Sequence, residues 1–213
     1  MTLVDVLSAV ASMDVPVLTT REAAARLRVA NGHASVSLAR LAAAGHLVRL
    51  RRGVWALPGR VDPLALPEYL TAPLPSYVSL QSALYLHGMV SQMPAVTYAV
   101  TLARTRRYAT PLGVVSLHHI QPAFFFGFED RGDAGGRLAT PEKALVDFLY
   151  LTPVRSRLFR ALPELDWPKT FRVNVARDMV ERIESARRRA FVAAKLDALL
   201  AARRHPKPTS RAC

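Results

Sequence analysis

Apolar side chains recur three and four positions apart at the start of the chain. Leu3, Val6, Leu7 and Val10 share one helical face, with Thr2 placed to cap it. Met13 to Leu18, containing Pro16, reads as a linker. The pattern resumes with Ala23, Ala24 and Leu27 behind Thr19 or Thr20, and Glu22 lies in the first turn where the helix dipole favours an acid. Asn31 and Gly32 tolerate positive φ and predict the turn that ends this helix. A third helix follows, with Ala34, Leu38, Leu41 and Ala42 inward and Gly45 as its stop. His46–Leu50 and Val54–Leu57 predict a hairpin whose tip is Arg51, Arg52 and Gly53. Helix, turn, helix and basic hairpin in this order are the parts of a winged helix-turn-helix.

Pro58, Gly59 and Pro63 place a boundary near residue 60. Beyond it the pattern is mixed. Asp62–Thr71 predicts a short linker helix. Ser79 heads a helix with Leu80, Ala83, Leu84 and His87 on one face, stopped by Gly88. Val96–Ala103, Gly113–His119 and Ala123–Phe128 are strand candidates rich in β-branched or aromatic residues. Thr140 caps a helix that starts at Pro141, with Glu142 in its first turn. A long helix is predicted from about Val175 to Arg204, with Met179, Ile183, Ala186, Ala190, Ala194 and Leu200 inward. The expected fold class is α+β: a winged helix-turn-helix at 1–60, a mixed α/β domain at 61–205, and a frayed tail at 206–213.

Charge sharpens this picture. The net charge is +13 and the isoelectric point near 10.9, so a polyanion is the obvious class of partner. The charge is not spread evenly. Residues 1–60 hold eight Arg against three acids, and residues 61–140 hold five against five. Residues 141–213 hold 16 Lys plus Arg against eight acids. Cys213 is the single cysteine, so no internal disulfide can form, as suits a reducing cytosol. Met1 to Asp14 lacks the basic start of a signal peptide. Tyr69–Ala103 holds no charged residue, but Pro73, Pro75, Pro94 and several polar side chains break it below the roughly 20 apolar residues of a membrane span.

The predicted third helix turns His33, Ser35, Val36, Ser37 and Arg40 outward. Arg40 can bind guanine O6 and N7 with two hydrogen bonds, and Val36 can touch a thymine methyl. Arg51 and Arg52 at the wing tip suit phosphates or a minor groove. Thr19, Thr20 and Arg21 stand where the N-terminus of a helix would meet the DNA backbone.

Three segments, in this order, carry a resemblance: the winged helix ending LVRLRRGVWAL, then YVSLQSALYLHGMVSQMP at 77–94, then RLATPEKALVDFLYL at 137–151. Together they resemble the AbiEi-type antitoxins, transcriptional regulators of the AbiE class of type IV toxin–antitoxin systems. The resemblance implies a cytoplasmic, non-enzymatic protein with two jobs. Its winged helix would repress its own operon by binding repeats in the promoter. Its C-terminal domain would counter a nucleotidyltransferase-like toxin, without a stable complex. It implies no cofactor.

Other readings stay open. One is a stand-alone transcription factor with a ligand-sensing or protein-interaction C-terminal domain. Another is a nuclease with a basic groove, although no suitable carboxylate set is present. His118 and His119, as strand neighbours, point to opposite faces and chelate poorly. His87 reads as a core histidine, and Asp130 and Asp133 as turn residues. GDAGG lacks the Lys and Ser/Thr of a phosphate loop. Arg187–Arg188–Arg189 reads equally as a nucleic-acid contact or a solvated helix face.

Overall fold

A computed structural model of the chain describes residues 2–132, 135–152 and 164–204. Asp133 and the expected tail, with Cys213, lie outside the described residues. The fold is mixed α/β. Contacts divide the chain into two units. One is Met1–Val78 with Ala95–His119 and Asp130–Arg137. The other is Ser79–Pro94 with Ile120–Glu129 and Leu138–Cys213. Residue 60 lies inside the first.

In the first unit, α1 (Leu3–Ala11) opens on a reciprocal cap: Thr2 Oγ1 accepts from Asp5 N–H, and Asp5 accepts from Thr2 N–H. After β1 (Val17–Thr19), Thr19 and Glu22 build the same device at the head of α2 (Thr20–Leu27). The turn after α2 comes earlier than the sequence predicts. Arg28 takes the left-handed conformation at φ 54°, and Val29 N–H reaches back to the Ala24 carbonyl at 3.1 Å. The reversal is therefore complete before Asn31, and Asn31 and Gly32 form the first turn of α3 (Asn31–Ala43). At the far end of α3 the predicted stop holds. Gly45 has φ 79°, and His46 N–H bonds the Leu41 carbonyl at 2.9 Å.

The strands β2 (Val48–Arg51) and β3 (Val54–Ala56) form the hairpin, and β1 pairs antiparallel on the other side of β3. All of β3 is buried, because both faces of this small sheet are covered. Trp55 and Leu57 join Val6, Val10, Leu18, Leu38 and Leu41 in a core under the three helices. Leu50, Val54 and Ala56 join a second core with Leu66, Leu70, Ala99, Val115 and Leu117. The hairpin is thus no free flap. Burying an apolar side chain this fully stabilises by about 1.5–3 kcal/mol, and the hairpin is anchored from two sides.

That second core is furnished by α4 (Leu66–Thr71) and by four neighbouring strands of a sheet, in the order β6–β7–β5–β4. Its strands are β4 (Ser76–Val78), β5 (Thr97–Thr101), β6 (Arg106–Thr110) and β7 (Gly113–His119). β5 and β7 are parallel; β6 pairs antiparallel with β7, and β4 with β5.

The second unit centres on α6 (Pro141–Leu151), buried from Glu142 to Leu151. Thr140 caps it as expected, accepting from Lys143 N–H at 3.2 Å. α5 (Leu80–Leu86), α7 (Val173–Glu181) and α8 (Ala186–Arg204) pack on it. Ser79 does not cap α5; its hydroxyl donates to Asp147 Oδ2 at 2.8 Å. The predicted strand Ala123–Phe128 is a 3-10 turn at Pro122–Phe124 followed by β8 (Phe128–Asp130); β9 (Arg137–Ala139) precedes Thr140. The long C-terminal helix is two. Arg189 donates to the Ile183 carbonyl at 2.8 Å and Ser185 Oγ accepts from Arg188 N–H, which stops one helix and starts the next. This break re-phases α8, so Val192, Leu196 and Leu200 are buried and Ala186, Ala190 and Ala194 are not. Among the described residues no helix is long and apolar enough to cross a membrane.

Candidate nucleic-acid interface

The head of α2 is fastened to the hairpin by two bonds from one residue. Thr20 N–H donates to the Gly53 carbonyl at 2.9 Å, and Thr20 Oγ1 accepts from Trp55 Nε1 at 2.9 Å. Thr19 is occupied by its cap. Both threonine hydroxyls therefore accept bonds that hold the elements in place, and each keeps its O–H to donate. Arg21, next along α2, is exposed.

These bonds frame a groove of about 500 Å³. Its floor is Trp55 with Thr19 and Thr20. One wall is the α3 strip Asn31, Gly32, Ser35 and Ala39; the other is Arg49, Arg52 and Gly53 of the hairpin, with Arg21 at the end. Arg49 lies opposite Trp55 in the strand pairing, and its guanidinium sits 5.6 Å from the ring centroid. Among the described residues no carboxylate pairs with Arg21, Arg49 or Arg52. Three cations facing one groove raise its potential and attract an anion.

The expected site residues fall into three groups. Arg21, Ser35 and Arg52 line the groove, with Thr19 and Thr20 as its supports. His33, Val36 and Arg40 are exposed on the neighbouring strip of α3, and Ser37 is half-buried there. Arg51 turns the other way. A bulge separates Arg49 from Arg51 in the ladder, and Arg51 donates to the Ala72 carbonyl at 3.2 Å. Sequence reasoning overlooked Arg49. Its signal was the period-2 alternation of LVRLRR, which sets Arg49 across from an aromatic strand partner.

Three of the histidines are engaged by neighbouring groups. His118 is half-buried and hydrogen-bonded to Ser116 Oγ at 3.1 Å, and burial pushes its pKa down to about 4. His119 bonds the Ala103 carbonyl at 3.1 Å. His87 Nε2 bonds the Ala139 carbonyl at 2.7 Å. Among the described residues no cluster of three or more His, Cys, Asp or Glu could hold an ion.

Residues 5–58 match the model of a family described as "Transcriptional regulator, AbiEi antitoxin". The match is confined to this segment. It holds α1 from Asp5 onward, α2, α3, the three-stranded sheet and every residue that lines the groove. No curated protein matches the chain. Among solved structures, the chain is similar to antibiotic-resistance factor ANT(2'')-Ia at 13% identity, over 62% of this chain and 86% of that one. The TM-score is 0.29, a likeness that carries no argument.

Proposed function

We propose that residues 1–60 act as a winged helix-turn-helix on double-stranded DNA, and that the chain is an autorepressor and antitoxin of an AbiE-like system. The observation that carries the DNA reading is the groove between α3 and the hairpin, with Arg21, Arg49 and Arg52 unpaired among the described residues. In this reading α3 enters the major groove. Ser35, Val36 and Arg40 meet base edges, with His33 and Ser37 beside them, and Arg21, Arg49 and Arg52 grip phosphates. Thr19 and Thr20 fix the angle between helix and hairpin. Arg51 braces the hairpin from behind. The remainder, 61–205, would supply the activity that counters a nucleotidyltransferase-like toxin in a soluble, cytoplasmic setting without a stable complex.

The test is a gel shift of the full chain with DNA from upstream of its own gene, against scrambled DNA, at low and moderate salt. Preferential binding supports the reading. Equal or absent binding to both overturns it. Arg40→Ala is expected to relax the preference between the two DNAs by about tenfold, the scale of one bidentate guanine contact. Uniform weakening on both would make Arg40 a phosphate contact instead.

A further inference from the structure

The second unit holds two more guanidinium groups in an unusual setting. Arg182, at the end of α7, lies over the Phe126 ring at 3.4 Å from its centroid. Arg188, in the first turn of α8, lies over Tyr150 at 4.7 Å. A guanidinium that lies over a ring spends its face on the aromatic cloud and keeps its in-plane N–H groups for hydrogen bonds. Among the described residues neither arginine has a carboxylate partner. Both nevertheless line one cavity of about 240 Å³, together with Ser185 at the start of α8. That start contributes the positive end of a 19-residue helix. Glu184 is also in the lining, removes one charge and leaves it net positive.

We infer that this cavity is a binding site for a small phosphoryl anion, held in the fork of Arg182 and Arg188 at the head of α8. The volume is below the usual 300–1,000 Å³ of drug-sized pockets, so the ligand is a phosphate, a pyrophosphate or a compact phosphorylated metabolite. The rings fix both guanidiniums before the ligand arrives, which lowers the entropy lost on binding. The site shares no lining residue with the DNA groove, and its test leaves that reading untouched.

The experiment is calorimetric titration of the full chain with pyrophosphate, in low-salt buffer free of phosphate and sulfate. A ten-nucleotide single strand is titrated in parallel. The expected result is saturable one-to-one binding with a Kd below about 1 mM. Arg182→Gln and Arg188→Gln should each weaken it about tenfold, while Arg107→Gln, on strand β6 of the first unit, leaves it unchanged. Pyrophosphate should also raise the melting temperature of the parent protein but not of the two pocket variants. This shift separates ligand binding from a variant that merely folds less well. Absence of binding, or binding that survives in both pocket variants, overturns the site. Binding of the oligonucleotide alone, lost in Arg182→Gln, overturns the small-anion assignment in favour of a phosphodiester strand.

Discussion

Arg49 and Lys143 are both cations set against aromatic rings, yet the two regions treat them in opposite ways. Arg49 is exposed over Trp55 at the edge of a groove, with no carboxylate pairing it among the described residues. Lys143 is fully buried in α6. Its Nζ lies 2.7 Å from Asp147 Oδ1, donates to the Phe124 carbonyl at 2.9 Å and sits 3.7 Å from the Phe124 ring centroid. Asp147 in turn accepts from Ser79 Oγ. The buried charge is enclosed by partners because burial takes it out of solvent; the exposed one keeps its donors available. The lesson is that charge alone does not mark a functional residue. What separates an architectural cation from a binding one is whether its donors are already used.

The largest expected effect follows from removing a partner of the buried pair. Asp147→Ala leaves an enclosed ammonium uncompensated and should cost about 3–5 kcal/mol of stability in a denaturant titration. Replacing both members, with Lys143→Met and Asp147→Leu, should recover most of that loss. If Asp147→Ala costs less than about 1 kcal/mol, the pair is not structural and the contrast with Arg49 fails.

Next comes a titration in the first unit. His118 is held neutral by burial, with a folded-state pKa near 4 against 6.5 for an ordinary histidine. Its contribution is fully present above pH 6.5. As pH falls from 6.5 to 4, the unfolded chain takes up a proton that the folded chain refuses, so stability falls by at most about 3 kcal/mol. His118→Gln should flatten that part of the stability profile, measured by denaturant midpoint at several pH values. An unchanged profile would show that other groups set the acid limit.

How far these regions were legible in the sequence depends on the range of the interactions that form them. Helix caps at Thr2 and Thr140 and the stop at Gly45 are local, and period and capping residues located them; for α2 they left Thr19 and Thr20 as alternatives, and Thr19 is the cap. The turn after α2 was misplaced because Arg28 took a conformation usually left to glycine, and no residue type announces that. The run AFFFGF looked like a strand because aromatic residues favour strands. In the structure Phe124 and Phe126 instead enclose Lys143, a tertiary demand that a pattern of residue types does not reveal. For the site, the outward positions of α3 could be counted from its period. The inward turn of Arg51 could not, since it depends on a bulge and on a carbonyl 21 residues away.

The groove should respond to salt as the buried pair does not. Arg49→Ala with Arg52→Ala should weaken binding to every DNA by about tenfold per arginine at low salt. The same double variant should lower the slope of log affinity against log salt by about two units. Its denaturant midpoint should stay close to that of the parent, because neither side chain is in the core. A slope that does not change would remove the hairpin from the interface.

The smallest expected effect makes the sharpest comparison, since it concerns two adjacent residues. Arg51 and Arg52 are identical in chemistry and differ only in direction. Arg52 lines the groove; Arg51 is bonded to the Ala72 carbonyl. Arg51→Ala should therefore leave the salt slope unchanged while lowering stability by about 1 kcal/mol, the worth of one hydrogen bond. Arg52→Ala should do the reverse, taking about one unit from the slope with no measurable loss of stability. Fluorescence anisotropy across a salt series and a denaturant titration on the same two preparations would show both quantities. If the two variants change the slope equally, the hairpin presents both arginines to DNA and the bond to Ala72 gives way on binding. If neither does, the charge of this hairpin is incidental and recognition rests on α3 alone.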